Sequence, residues 1–240
     1  MDAVENPQMN LRQAWTGFVT PEDYELHMAS IGQAQANAVL VREAVINWAA
    51  AGARLWIAGA GTGQMFDFAS AAFLSPFDVT FSDINAQFLE RLEARLAQSG
   101  LTQWRTQLDD LEQTALAGPF DMAAVVLVFE HIAWRKGIAS IAKVAPARCL
   151  IVIQQNPAGM TAAVTPSRVP PGTMKAVVAA KPVLVDEAEL IAEMATKGYR
   201  ELERTISDVP DGKKMLALVF ESNRRFIDRI KMRQTEVPEE

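Results

Sequence analysis

Leu55-Trp56-Ile57-Ala58-Gly59-Ala60-Gly61-Thr62-Gly63 is the stretch on which the fold of this chain turns. Four apolar residues in a row make a short buried strand. The three alternating glycines after them end it in a tight turn, where a ligand can approach the backbone too closely for a Cβ. Residues 65–74 have helical composition, so the stretch reads as strand, turn, helix, with the positive end of a helix dipole at the glycines. A carboxylate or phosphate suits that place, although an ordinary tight turn shows the same glycines.

Toward the C-terminus the unit repeats. Residues 77–82 alternate like a strand, 86–98 carry Phe88, Leu89, Leu92 and Leu96 at helical spacing, and Ser99-Gly100 stops that helix. A weaker strand is predicted over 102–108. The continuous apolar run 122–129 predicts a central strand covered on both faces. Helical pattern returns over 131–144, and a fifth strand over 149–153 ends at Gln154-Gln155-Asn156. Five alternations imply a parallel sheet. Residues 157–182 hold five prolines without a clear period and predict a long loop that serves as a lid. Asp186 caps a helix through Thr196, and strands over 199–207 and 215–220 flank Asp211-Gly212, a hairpin turn. Toward the N-terminus, Thr20-Pro21-Glu22 reads as a helix start, and helical pattern runs to about residue 50 with a break near Gly32.

The fold class is therefore α/β: a Rossmann-like, doubly wound, mostly parallel seven-stranded sheet with a C-terminal antiparallel hairpin and an N-terminal helical lid. Residues 1–52 are expected to form a helical cap on the same domain, 53–221 the core with its lid loop, and 222–240 a C-terminal helix and tail. With 240 residues, half of them hydrophobic, one core is the default. The net charge of −6 argues against capture of nucleic-acid backbones. Arg224, Arg225, Arg229, Lys231 and Arg233 read as a solvated terminal helix. Cys149, the single cysteine, permits no internal disulfide and reads as core. Residues 1–10 lack the basic-then-apolar order of an export signal, and no apolar stretch reaches membrane-spanning length. Cytoplasmic residence, no membrane partner and no metal site are expected, the two histidines being far apart in sequence.

Asp83 closes the second strand where a carboxylate can accept both hydroxyls of a ribose; otherwise it caps the next helix. Asp109-Asp110-Leu111, after the third strand, offers a carboxylate and a backbone N–H that could read an adenine; otherwise it is a solvated acidic loop. On Gly59, Gly61, Gly63, Asp83, Asp110 and Leu111, and on the closing strand pair, residues 53–221 resemble the class I S-adenosylmethionine-dependent methyltransferases. Gln64, where a third small residue would fall, separates the turn from the nicotinamide pattern. The resemblance implies S-adenosylmethionine held by Gly59, Ala60, Gly61, Gly63, Asp83, Ile84, Asp110, Leu111 and Phe129, with methyl transfer to a small-molecule acceptor. The chain departs from the family at Ile57, two residues before the first glycine, where an acid is usual.

His131, after the fourth strand, is the candidate base if the acceptor is an alcohol or phenol, with Glu130 as helix cap. Gln154 and Asn156 end the fifth strand as hydrogen-bonding groups, and Tyr24, His27 and Met160 are expected to roof the acceptor. Asn156-Pro157-Ala158-Gly159 falls after the fifth strand without the aromatic that amino-methylating DNA enzymes of this family carry after the fourth. A non-catalytic adenosyl-cofactor binding protein and a nicotinamide oxidoreductase remain as alternatives.

Overall fold

The computed structural model describes residues 10–164 and 172–223. The basic run from Arg224 and the predicted C-terminal helix lie outside the described residues, as do Pro166, Pro170 and Pro171 of the loop. Seven strands form one sheet: β1 (Arg54–Ala58), β2 (Asp78–Asp83), β3 (Trp104–Leu108), β4 (Met122–Val126), β5 (Arg148–Gln155), β6 (Tyr199–Asp208) and β7 (Lys214–Ser222). Their order is β3-β2-β1-β4-β5-β7-β6, with β1 to β5 parallel and β7 antiparallel to both its neighbours. Sequence order thus reverses between β1 and β4, and ligands bind at the carboxyl ends of strands flanking such a reversal.

Alternation along β1 builds both layers. Leu55 and Ile57 pack with Leu40 and Val41 of α3 (Gln33–Trp48) and Leu92 and Leu96 of α4 (Ala86–Ala97). Trp56 and Ala58 face Ile138 and Ile141 of α5 (Trp134–Val144), and Leu190 of a later helix (Glu187–Thr196). Cys149 is fully buried, as expected, and desolvation pushes its thiol well above its ordinary value. Two more N-terminal helices, α1 (Leu11–Gly17) and α2 (Pro21–Ser30), lie over the strand ends, and α2 starts at the Thr20 cap. Helix α1 was absent from the sequence reading; its capping box, Asn10 with Gln13, was the available signal. The Asp211-Gly212 turn has φ of 65° and 71°, the left-handed pair such a hairpin uses. Among the described residues no helix is long and apolar enough to cross a membrane.

Three predicted elements are corrected. Residues 65–74 form two 3-10 turns, Gln64–Asp67 and Ala71–Leu74, instead of a helix. Arg95 pins the first turn through Asp67 (3.0 Å) and the Thr62 carbonyl (2.7 Å), while the Ser70 hydroxyl accepts from Ala72 N and restarts the chain. The dipole expected at the glycines goes with that helix. The fourth strand ends at Val126, because Leu127 is left-handed (φ 54°), and a 3-10 turn, Phe129–His131, precedes α5. The loop 157–182 contains a 3-10 turn, Gly172–Met174, and a short helix, α6 (Lys175–Ala179), whose Val177 packs with Ala14 and Val19. Helix α7 is the one spanning Glu187–Thr196, capped by Asp186 as predicted.

Candidate ligand-binding site

A cavity of about 190 Å³ opens at the carboxyl ends of all five parallel strands. Gly59, Ala60 and Gly61 line it after β1, Asp83 and Ile84 after β2, Asp110 and Leu111 after β3, His131 after β4 and Gln154 at the end of β5. Helices α2 and α3 roof it with Tyr24, His27, Met28, Gln33 and Asn37, and Trp15 of α1 and Met174 complete the wall.

The glycine turn is built by close approach. Gly59 and Gly61 have φ of 64° and 59°, and a Cβ on Gly59 would lie 2.2 Å from Val128 Cγ2. A Cβ on Gly61 would meet the Tyr24 hydroxyl at 3.1 Å. Asp83 braces this turn: Oδ2 accepts from Gly61 N (2.8 Å) and Oδ1 from Asn85 N (2.9 Å). Burial holds its carboxyl above the ordinary value, against the lowering effect of those N–H groups. The helix cap is Asn85, whose Oδ1 accepts from Gln87 N and Phe88 N and whose amide donates to Trp15 O (2.7 Å). Tyr24 is buried, which raises its hydroxyl pKa; the nearby Asp83 charge adds to this.

Helix α1 closes the cavity edge at Asp110. Arg12 pairs with Asp110, which also accepts from Glu112 N (3.0 Å) and the Gln113 amide (3.1 Å). The Trp15 ring stands edge-on to Tyr24 (6.0 Å), Phe88 (6.2 Å) and His131 (5.0 Å).

The opposite wall brings the two histidines together. Burial, with the charge of His27 as a second cause, lowers His131 to about 4. His27 is lowered by burial and then by Lys213. Glu130 is buried and pushed up to about 7 by desolvation; its Oε1 accepts from Gln154 N (2.7 Å). It anchors β5 rather than capping α5. The Gln33 amide donates to Gln154 Oε1 (2.6 Å). Among the described residues, six buried side-chain polar atoms without a hydrogen-bond partner belong to residues lining this one cavity: Trp15 Nε1, His27 Nδ1, Asn37 Oδ1, Gln64 Oε1, Glu130 Oε2 and His131 Nδ1. Buried polar groups are ordinarily paired, so this concentration marks a site awaiting a polar ligand.

Four sequence candidates stand outside the cavity. Phe129 is 1% exposed in the core, its ring edge against Gly137, because the 3-10 turn directs it inward. Gly63 faces α4, where a Cβ would lie 2.4 Å from Leu92 Cδ1. Asn156 accepts from Gln154 Nε2 (2.7 Å) and donates to the carbonyls of Met160 (3.0 Å) and Ala162 (2.9 Å), so it shapes the loop that carries Met160. Trp15, Gln33, Asn37 and Gln64 were missed; their only sequence signal is a polar or aromatic residue on an otherwise apolar helical face or at the turn. Among the described residues, no group of three or more His, Cys, Asp or Glu could hold a metal ion.

Residues 56–148 match the family described as a methyltransferase domain. No curated protein matches the chain significantly in sequence. Among solved structures, magnesium protoporphyrin IX methyltransferase (ChlM) from Synechocystis PCC 6803, with bound SAH, superposes with a TM-score of 0.62 at 16% identity, covering 81% of this chain and 85% of that one. Haemonchus contortus phosphoethanolamine N-methyltransferase 2 gives 0.61 at 14% identity, covering 84% and 56%. The [4+2]-cyclase SpnF gives 0.59 at 14% identity, covering 80% and 82%. Residues 56–148 thus match a methyltransferase domain, and the chain as a whole shares the fold of these solved structures.

Proposed function

We propose that this protein methylates a neutral small molecule in the cavity, with S-adenosylmethionine as donor. The observation that carries the reading is the concentration of unpartnered buried polar atoms beside a glycine turn at the ends of five parallel strands. When bound, the cofactor supplies an electrophilic methyl on a sulfonium. Gly59, Ala60 and Gly61 give it close backbone. Each Asp83 oxygen accepts one N–H and keeps a lone pair for a ribose hydroxyl. Ile84, Asp110 and Leu111 flank the adenine, with Arg12 sharing Asp110. Gly63 supports the turn from behind.

The acceptor lies between Tyr24, His27, Gln154 and His131. His131, kept neutral by burial, accepts a hydrogen bond from the acceptor's O–H or N–H at any pH above about 4 and aims its lone pair. In-line displacement gains most from alignment and exclusion of water, which the Trp15 and Tyr24 rings provide. Asn156 and the loop bearing Met160 position Gln154. The buried histidines and amides of this wall and the net charge favour an uncharged acceptor over nucleic acid.

The test is calorimetric titration with S-adenosylmethionine, its demethylated product and a nicotinamide dinucleotide, followed by assay for that product with neutral hydroxyl and amine acceptors. Selective binding of the adenosyl pair with turnover is expected. Absence of binding by both adenosyl compounds overturns the reading, and binding without turnover on any acceptor reduces it to cofactor binding, since this fold also carries the cyclase named above.

A further inference from the structure

Two of the unpartnered atoms are uncharged acceptors on the β1 side of the cavity, and the adenosyl-cofactor reading above leaves them unexplained. Asn37 projects from the second turn of α3, 6% exposed, with Oδ1 buried and unbonded. Gln64 directly follows the glycine turn, and its 3-10 turn packs against α3. Its Nε2 donates to the Glu25 carbonyl (2.9 Å), which fixes the amide and leaves Oε1 buried without a donor. Ile57, on the same wall, contributes only carbon. An ammonium brings three N–H donors and needs acceptors, which amide oxygens provide without a carboxylate's desolvation cost. Glu130 Oε2, the remaining unpartnered acceptor oxygen among the cavity-lining residues, sits under β5 beside Gln154, on the wall that faces the methyl acceptor.

We propose that Asn37 Oδ1 and Gln64 Oε1 form an uncharged site for the α-ammonium of the cofactor's amino-acid end. The inference rests on the adenosyl-cofactor reading, and the experiment separates the two. Wild type, Asn37→Leu and Gln64→Leu are titrated with S-adenosylhomocysteine and with methylthioadenosine, which keeps the nucleoside and thioether but lacks the amino-acid end. Each variant is expected to lose tenfold or more in affinity for S-adenosylhomocysteine while methylthioadenosine changes less than twofold. Equal loss for both ligands, or no loss for either, overturns the ammonium site. Failure of wild type to bind either compound overturns the cofactor reading itself. Asn37→Asp keeps the shape and adds charge, so it serves if the leucine variants do not fold: a rise in the ratio of the two affinities is expected, and an unchanged ratio refutes the proposal.

Discussion

At the scale of residues, Asp83 braces the glycine turn and, under the proposed function, also holds the ribose. On that proposal, removing it leaves both Gly61 N–H and the ribose without an acceptor, so Asp83→Ala is expected to weaken S-adenosylhomocysteine by about 1.5 to 3 kcal/mol, tenfold or more by calorimetry. An unchanged affinity would remove Asp83 from the site. The buried pair Glu130 and His131 makes opposite contributions to the pH dependence of stability. His131 titrates at about 4 in the folded chain against 6.5 ordinarily, so the unfolded chain binds the extra proton between those values and stability grows as pH rises through them. Glu130 titrates at about 7 against 4.5, so the folded chain holds the extra proton and stability falls as pH rises through that window. Each effect amounts to about 3 kcal/mol. Glu130→Gln removes only the falling arm: denaturant unfolding of the variant, relative to wild type, is expected to gain about 3 kcal/mol between pH ~4.5 and ~7.5. A constant difference across that range would contradict the burial of this carboxyl.

At the scale of elements, α1 is the piece that the sequence pattern hid and the site uses. Its capping box precedes only seven helical residues, too short for an apolar period to show. Its contribution comes from Arg12 on Asp110 and Trp15 among the aromatic rings. Because Arg12 is more than half exposed, Arg12→Ala is expected to change folding stability by less than about 1 kcal/mol. It frees Asp110, so stopped-flow binding of the adenosyl compound should be faster; slower binding would mean that the guanidinium guides entry. The glycine turn divides by element too. Gly63→Ala sets a Cβ against Leu92 of α4 at positive φ and should destabilise the fold by about 1 to 3 kcal/mol, read as a lower melting temperature. Gly61→Val acts at the cavity wall against Tyr24 and should show mainly as lost ligand affinity.

At the scale of the whole molecule, one buried carboxylate stitches the antiparallel hairpin to the parallel sheet and the N-terminal helices. Glu221 on β7 is fully buried and reached by Arg148 of β5 (3.4 Å) and Arg200 of β6 (2.9 Å). Arg148 in turn donates to the Trp48 carbonyl at the end of α3 (2.6 Å) and lies over its ring. Glu221→Ala removes the buried carboxylate that both guanidinium groups share, and is expected to cost about 3 kcal/mol in denaturant unfolding. A cost under about 1 kcal/mol would show that packing alone holds the hairpin in place.

Local pattern by itself determined the strands, their parallel arrangement, the closing hairpin at Asp211-Gly212 and the crevice of Gly59 to Gly61, Asp83 and Asp110. Alternation, apolar runs and glycine spacing are properties of neighbouring residues, so they survive without knowledge of the fold. The helix misread at 65–74 shows the limit: its composition was helical, but Arg95, some thirty residues away, fixed a different turn. Only the tertiary structure brought His27 to His131, turned Phe129 into the core, and set Asn37 in the same cavity as the glycine turn. Each depends on which face of an element meets which neighbour, and that is decided by long-range packing. The unpartnered polar atoms that define the site exist only once packing has buried them.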